Sequence, residues 1–115
     1  MRAVLKKVSA DEVVFESYVP DDPECFSITL RMRIGVEESA GADDFELFVC
    51  TPKWLDVNVW GATWGRHCLI VRMYDYDLIF EAIQKKVSEI EGVNWEDLAC
   101  KLARFYSWEF EDYQP

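Results

Sequence analysis

The nine residues FSITLRMRI, at positions 26–34, decide the fold of this chain. Apolar and polar side chains alternate strictly through this stretch. A period of two predicts a β-strand with one face in the core and the other in contact with solvent or a second layer. The apolar set is Phe26, Ile28, Leu30, Met32 and Ile34, and the polar set is Ser27, Thr29, Arg31 and Arg33.

Further strands are predicted on both sides of this segment. We expect Gly35 to end the first strand and a polar loop to lead into a second strand at 44–51, in which Phe45, Leu47 and Val49 share a face. The two strands read as a long antiparallel hairpin. Strands are also predicted at 2–8 and 66–73, the latter with His67, Leu69, Val71 and Met73 on one face. Residues 13–15 form either a short edge strand or a cover over the core. Thr51-Pro52 has the residue types of a helix start, which predicts one or two turns at 53–56.

The last third of the chain has helical periodicity. A first apolar stripe predicts a helix near 76–91 that ends at Gly92, and a second stripe predicts a helix at 95–106 with Asn94 as its N-cap. The expected fold class is α+β: an antiparallel sheet of about four or more strands with two C-terminal helices packed on one face, in a single domain over 1–115. The stripes are Tyr76, Ile79, Phe80, Ile83, Val87 and Ile90, then Trp95, Leu98, Ala99, Leu102 and Phe105.

A C-terminal segment of alternating aromatic and acidic residues follows, Trp108-Glu109-Phe110-Glu111-Asp112-Tyr113. Large aromatic rings favour burial, whereas carboxylates favour water or a cationic partner. We therefore expect Trp108 and Phe110 to be buried anchors that hold the tail on the domain while the acidic side chains point outward.

The composition is strongly acidic, with 22 Asp and Glu against 12 Lys and Arg and a formal net charge of −10. Such a charge argues against binding to nucleic acid or to an anionic membrane, and it favours steered encounter with a basic protein. Solubility alone is the other explanation for the charge. We see no apolar run that would span a membrane and no signal peptide at the N-terminus. The four cysteines, at 25, 50, 68 and 100, lack metal-binding spacing and are expected to be free, buried thiols in a reducing cytoplasm.

No residue pattern in the chain predicts catalysis, a cofactor or a metal. His67 is the single histidine, and a hydrogen-bonded structural imidazole is the favoured interpretation. Asp75 and Asp77 are expected to cap a helix rather than to ligate a cation, because the glycine and the distant glutamate of a calcium loop are missing. Asp43 and Asp44 are expected to form a solvated turn.

Three regions could bind a protein partner. Trp60 and Trp64 lie in a glycine-flanked loop, where they would be binding anchors if exposed, although they could also fold back onto the sheet. The second face of the sheet mixes Arg31, Arg33, Glu46 and Arg72 with Phe48, Cys50, Cys68 and Ile70. It would form an interface unless residues 9–25 or the tail cover it. The acidic residues proposed to contact a partner are Asp21, Asp22, Glu24, Glu37, Glu38, Asp43 and Asp44.

Four segments together resemble immunity protein family 8 of bacterial polymorphic toxin systems: YVPDDPE at 18–24, CTPKWL at 50–55, GRHCLIV at 65–71 and WEFEDY at 108–113. The resemblance implies a small cytoplasmic α+β protein that binds and neutralises a cognate toxin. It implies no catalytic residue and no metal. The loop Val57–Trp64 departs from the family's pattern, and segments that contact a specific partner are expected to vary.

Two other classes of function stay open from the residues alone. One is a non-catalytic adaptor or a homodimeric interaction module joined through the second sheet face. The other is a small enzyme that uses His67 with nearby acids. An exposed acidic and aromatic surface would favour the inhibitor, a symmetric apolar contact the adaptor, and a closed pocket around His67 the enzyme.

Overall fold

The computed structural model describes residues 1–111. A mixed α+β architecture is observed, with the long strands first and the longer helices last. The strands are β1 (Ala3–Ala10), β2 (Ser27–Val36), β3 (Ala42–Cys50), β4 (Cys68–Ile70) and β5 (Ser107–Trp108), and the helices are α1 (Pro52–Asn58), α2 (Tyr76–Ser88) and α3 (Trp95–Leu102), with a 3-10 turn at Phe15–Ser17.

The predicted antiparallel hairpin is confirmed. β2 pairs with β1 on one side and with β3 on the other, both antiparallel, and Leu30 lies opposite Leu47 in the register. The alternate residues of β2 and β3 point into one core, as the period-two pattern predicts, with Leu30, Met32, Ile34, Phe45 and Val49 fully buried. The α+β fold class is therefore confirmed, and the apolar face of the sheet is the one expected.

β2 was predicted to end at Gly35, but it continues to Val36. A side chain at Gly35 would collide with the carbonyl oxygen of Gly41 at the start of the returning strand. The glycine is therefore required by this close approach, and it does not terminate the strand.

The outer edge of β3 carries two short strands placed end to end. β4 pairs with Phe48–Cys50 and runs parallel to β3, whereas β5 pairs antiparallel with Phe45 and Glu46. The parallel direction of β4 was not predicted. The strand predicted at 66–73 is also much shorter, because β3 ends at Cys50 and offers no further partner after Ile70. Met73, predicted to face the core, is 49% exposed.

Both C-terminal helices begin where the sequence predicts. Asp75 caps α2 by accepting a hydrogen bond from the Leu78 N–H, and Asn94 caps α3 in the same way through the Asp97 N–H. Their buried residues join the core on the apolar face of the sheet: Ile79, Ile83, Val87, Leu98, Ala99 and Leu102. The two helices thus cover the face formed by β2 and β3, as expected.

Both helices end earlier than predicted. α2 ends at Ser88 with Glu89 as its C-cap, so Gly92 is not the cap. A Cβ at Gly92 would lie 2.8 Å from the Leu98 amide nitrogen, so this glycine permits the close approach of α3. α3 ends at Leu102. The helical register is lost beyond that residue, and Tyr106 is buried in place of Phe105, which is 40% exposed.

Phe15 packs the connection between β1 and β2 against the core. The residue lies in the 3-10 turn with 1% of its surface exposed, and its ring contacts that of Tyr76 at a centroid distance of 4.7 Å. Of the two possibilities left open for residues 13–15, packing over the core is the one observed.

Of the two predicted aromatic anchors of the tail, Trp108 is the one that packs on the domain. Trp108 is half-buried and stacks on Phe45, with 6.3 Å between the ring centroids. Phe110, predicted to be a buried anchor, is 43% exposed and contacts Trp108 edge-on. The prediction is wrong because β5 ends at Trp108, so the strand does not carry Phe110 onto the sheet. The predictions for Asp112 and Tyr113 lie outside the described residues.

Asp43 connects this tail to α3. The same carboxylate oxygen, Oδ2, accepts hydrogen bonds from the indole N–H groups of Trp95 and Trp108, each at 3.0 Å. Asp43 is also the residue opposite Ile34 in the sheet register, so it lies at the end of the core face. One charged acceptor therefore satisfies two half-buried donors that would otherwise lack partners.

α1 covers part of the second sheet face. Its Trp54 contacts the ring of Phe48 in an edge-on arrangement, with 5.3 Å between centroids. From the 9–25 connection, Asp11 reaches Arg31 at 3.0 Å. Both α1 and the 9–25 connection, one of the two segments considered above, thus contact this face, and Ile70 keeps 55% of its surface exposed.

Replacing Asp43 by alanine should destabilise the protein and loosen its tail. The variant loses two charge-assisted hydrogen bonds and leaves two indole donors unpaired, which corresponds to about 2–4 kcal/mol of unfolding free energy. Urea denaturation followed by circular dichroism measures the loss. Asp43→Asn keeps one acceptor oxygen and should lose less. Equal stability of wild type and Asp43→Ala would show that the two indole contacts contribute nothing.

Candidate protein-binding site

Among residues 1–111, the most exposed large hydrophobic side chains lie in one loop, the tryptophan loop, which we define as residues 59–65. Trp60 is 90% exposed and Trp64 is 94% exposed. The possibility that these rings fold back onto the sheet is therefore wrong. Tryptophan is rarely left this open on a soluble protein, and exposed aromatic residues are the commonest anchors of protein interfaces.

α1 fixes the first end of the tryptophan loop. Thr51 is its N-cap, and the hydroxyl oxygen accepts from the Trp54 N–H at 3.3 Å, while Pro52 takes the first helical position. Both features were predicted from the sequence. The helix continues to Asn58, and the Val59 N–H then donates to the Leu55 carbonyl at 2.9 Å. The loop thus begins from a helix that is itself held by Trp54 on Phe48.

His67 fixes the second end. Its backbone carbonyl accepts from the Phe48 N–H at 3.2 Å, which places it beside β3 at the start of β4. Its ring bridges to the C-terminal segment, with Nδ1 at 2.9 Å from the Ser107 hydroxyl and Nε2 at 2.8 Å from the Ala103 carbonyl oxygen. The imidazole therefore connects the end of the loop, β4 and β5.

The hydrogen bonds of His67 identify a structural role, as the sequence predicted. The tautomer sets the role of each ring nitrogen: Nε2 either donates to the Ala103 carbonyl oxygen or accepts from the Arg66 Nε–H, and Nδ1 takes the opposite role towards the Ser107 hydroxyl. In a nucleophilic triad an acid orients the ring, whereas here the neighbour of Nε2 is the Arg66 guanidinium, at 2.9 Å. Within residues 1–111 the Ser107–His67 pair therefore lacks the acid partner of such a triad.

Cys50 and Cys68 also lie together, with 3.5 Å between their sulfur atoms. Burial raises the pKa of Cys50 to about 12, and the neighbouring Cys68 thiol contributes to the shift. The Cys50 thiol is consequently protonated near neutral pH and is a poor nucleophile. All four cysteines are free, as predicted, but only Cys50 is buried. Cys25 and Cys68 are half-buried, and Cys100 is exposed because it lies on the outer side of α3.

The acidic residues singled out from the sequence form two groups at opposite ends of the sheet. Asp21, Asp22 and Glu24 are exposed before β2, whereas Glu37 and Glu38 are exposed in the turn after it. The ten residues of β2 that separate them span about 30 Å. This separation exceeds the roughly 8 Å Debye length at physiological salt, so the groups act independently on a small partner surface.

The first acidic group is the one connected to α1. Asp22 lies 3.4 Å from the Lys53 ammonium in the first turn of that helix, and its other oxygen accepts from the Glu24 N–H at 2.9 Å. The connection also contacts the segment after β4, because the Tyr74 N–H donates to the Pro23 carbonyl at 2.7 Å. The group therefore borders the structure that carries the tryptophan loop.

Asp43 and Asp44 were expected to form a solvated turn. They lie instead near the start of β3 and are half-buried. Asp43 holds the two indoles, and Asp44 pairs with Arg33 at 2.9 Å. The sequence held a signal for the first role: Asp43 has the same parity as Phe45, Leu47 and Val49, which places it on the core side. A carboxylate at that position needs donors from the elements that cover the core.

Residues 1–111 contain neither a metal centre nor a membrane-spanning helix. No group of three or more His, Cys, Asp or Glu side chains in this range is arranged to hold a metal ion. No helix in the same range is both long enough and apolar enough to cross a membrane.

Comparison with known proteins gives one match. The family model described as Immunity protein 8 matches residues 3–113, nearly the whole chain. No curated protein and no solved structure matches the chain.

The two ends of the tryptophan loop and its interior should respond differently to substitution. His67→Ala removes two hydrogen bonds at a half-buried site and should lower the unfolding free energy by about 1–3 kcal/mol. Gly61→Ala is the matched control: no heavy atom lies within 4 Å of the added Cβ, and the change should stay within about 0.5 kcal/mol. Thermal and urea unfolding measure both. A neutral His67→Ala variant would contradict the connecting role of the imidazole.

Proposed function

The chain belongs to the immunity protein 8 family, and on that premise we propose that it binds and neutralises a cognate polymorphic toxin in the bacterial cytoplasm. Inhibition acts through binding, with the acidic surface directed at a basic region or active site of the toxin. The tryptophan loop supplies the apolar anchor. The protein uses no cofactor and catalyses no reaction.

The exposure of Trp60 and Trp64 is the strongest support for a protein partner. Burying one indole removes about 150–250 Å² from water. At roughly 25 cal/mol per Å², each ring leaves about 4–6 kcal/mol of transfer free energy unused in the free protein. A contact with another protein is the natural way to recover it, and Trp is among the residues most often found at the energetic centre of an interface.

The net charge of −10 supports a basic target. Opposite charges on two proteins raise the association rate and disfavour wrong partners, while contributing less to the lifetime of the complex. Rapid capture suits an inhibitor that must reach its toxin before the toxin reaches its target. Asp22 contacts the first turn of α1, the helix that leads into the loop, and we propose that Asp21, Asp22 and Glu24 carry most of this steering. Glu37, Glu38, Asp43 and Asp44 add to the field of the whole molecule.

The proposal contains no catalytic step because the two side chains that could have supported one, His67 and Cys50, lie in unsuitable surroundings. His67 is flanked by a guanidinium, and the Cys50 thiol has a pKa of about 12. A protonated Cys50 thiol is a poor nucleophile, and the His67 ring lacks the acid partner of a catalytic triad. The hydrogen bonds of both residues are accounted for by joining β3, β4 and β5.

Binding kinetics separate the two proposed contributions. The double variant Asp21→Lys/Glu24→Lys should slow association with the toxin encoded by the adjacent gene and flatten its dependence on salt, with a smaller effect on dissociation. Asp22 is left in place because it supports the local turn. Surface plasmon resonance at low and high ionic strength, with a catalytically inactive toxin, measures both rates.

The matched control is Glu37→Lys/Glu38→Lys, which changes the net charge by the same amount at the other end of the sheet. Slower association is expected for this control as well, but with a smaller change, because the sites lie about 30 Å from the first group. Equal association rates for wild type and both variants would contradict steering. Failure of the wild-type protein to bind the toxin or to protect cells that express it would contradict the proposed function itself.

A further inference from the structure

The interior of the tryptophan loop makes no contribution to the fold. Residues 60–65 are all exposed. A Cβ added at Gly61 or at Gly65 would have no heavy atom within 4 Å, and neither glycine has a positive φ angle. Neither packing nor backbone geometry therefore requires these residue types. In a stable domain, a segment that is free of structural requirements can change without cost to folding.

The ends of the loop, in contrast, are held firmly. The Val59 N–H bonds to Leu55 at the end of α1. At the other end Arg66 pairs with Glu111 at 2.9 Å, and His67 binds Ser107 and Ala103. The two tryptophans are thus displayed on a short segment between two anchored positions. Such an arrangement presents side chains to a partner with a limited loss of chain entropy on binding.

The charge pattern around the loop has the arrangement of an interface centre. Residues 57–65 contain no charged side chain, and residues 57–74 contain no carboxylate, although the chain has 22 Asp and Glu. Ion pairs lie around this region, between Asp22 and Lys53 beside α1 and between Glu111 and Arg66. Interfaces commonly have a centre depleted in charge and a polar rim. Because the protein as a whole carries a net charge of −10, its complement is an apolar cleft bordered by basic side chains.

We infer that the tryptophan loop determines which toxin this protein recognises, through insertion of Trp60 and Trp64 into an apolar cleft that basic residues border on the toxin. The acidic side chains contribute attraction to any basic partner, and the loop supplies the discrimination. This inference rests on the proposed function and narrows it to one segment of seven residues, 59–65.

The test uses the full-length protein and two inactive toxin domains: the one encoded beside this gene, and the one paired with a second member of the family. Trp60→Ala/Trp64→Ala should weaken binding of the cognate domain by roughly 30-fold or more, chiefly through faster dissociation. Its unfolding midpoint should equal that of wild type. Replacing residues 59–65 by the corresponding segment of the second family member should shift preference toward that member's toxin.

The matched control is Val19→Ala/Val93→Ala, which truncates two side chains that are 78% and 87% exposed elsewhere on the protein. This control should bind like wild type. The inference is overturned if wild type binds the cognate domain and the tryptophan variant binds equally well, or if the exchanged loop keeps the original preference in a folded protein. If the wild-type protein binds neither domain, the proposed function fails instead, and the two failures are distinct.

Discussion

Burial of one face of β2 is the constraint from which the rest of the fold follows. Five alternate side chains, from Phe26 to Ile34, are each 8% exposed or less. A single strand cannot remove that face from water, so it must be covered by the helices α2 and α3 and extended sideways by β1 and β3. The opposite face of β2 carries Arg31 and Arg33 and needs only α1 and ion pairs across the strands. The different cover on the two faces leaves room for a projecting loop between β3 and β4.

The edge of the sheet at β3 shows how a few polar contacts complete this arrangement. β4 and β5 share the edge, and neither is long enough to be stable alone. His67 joins them through its ring, and Asp43 holds the tail that contains β5 through Trp108. The resulting rigidity lies at the base of the tryptophan loop rather than within it. The fold therefore supplies fixed ends for a loop whose interior is exposed.

Periodicity was the reliable guide to the fold, and it failed where tertiary contacts set the limits. The alternation of β2 and the stripes of α2 and α3 correctly predicted the core, because burial imposes those patterns directly. The direction and length of β4 depend on where β3 ends and on the path of α1, which no local pattern encodes. Gly35 and Gly92 resembled terminators, yet both are required by the close approach of backbone six residues further along the chain, at Gly41 and Leu98. The candidate site was predicted in part. Glycine and tryptophan in one loop indicated binding anchors. The same composition, however, is compatible with exposed rings and with rings packed on the sheet. The acidic residues looked equivalent in the sequence, and only the register of β3 and the length of β2 separate their roles.

The exposed indoles also have a consequence for the protein on its own. Two open tryptophans on each molecule would let copies adhere to one another, since apolar rings attract any apolar surface. A charge of −10 on every copy opposes such contact by colloidal repulsion. The excess of carboxylates therefore keeps the free protein dispersed. Concentrated salt screens that repulsion. Ionic strength therefore controls how far the charge opposes self-association through the exposed tryptophans.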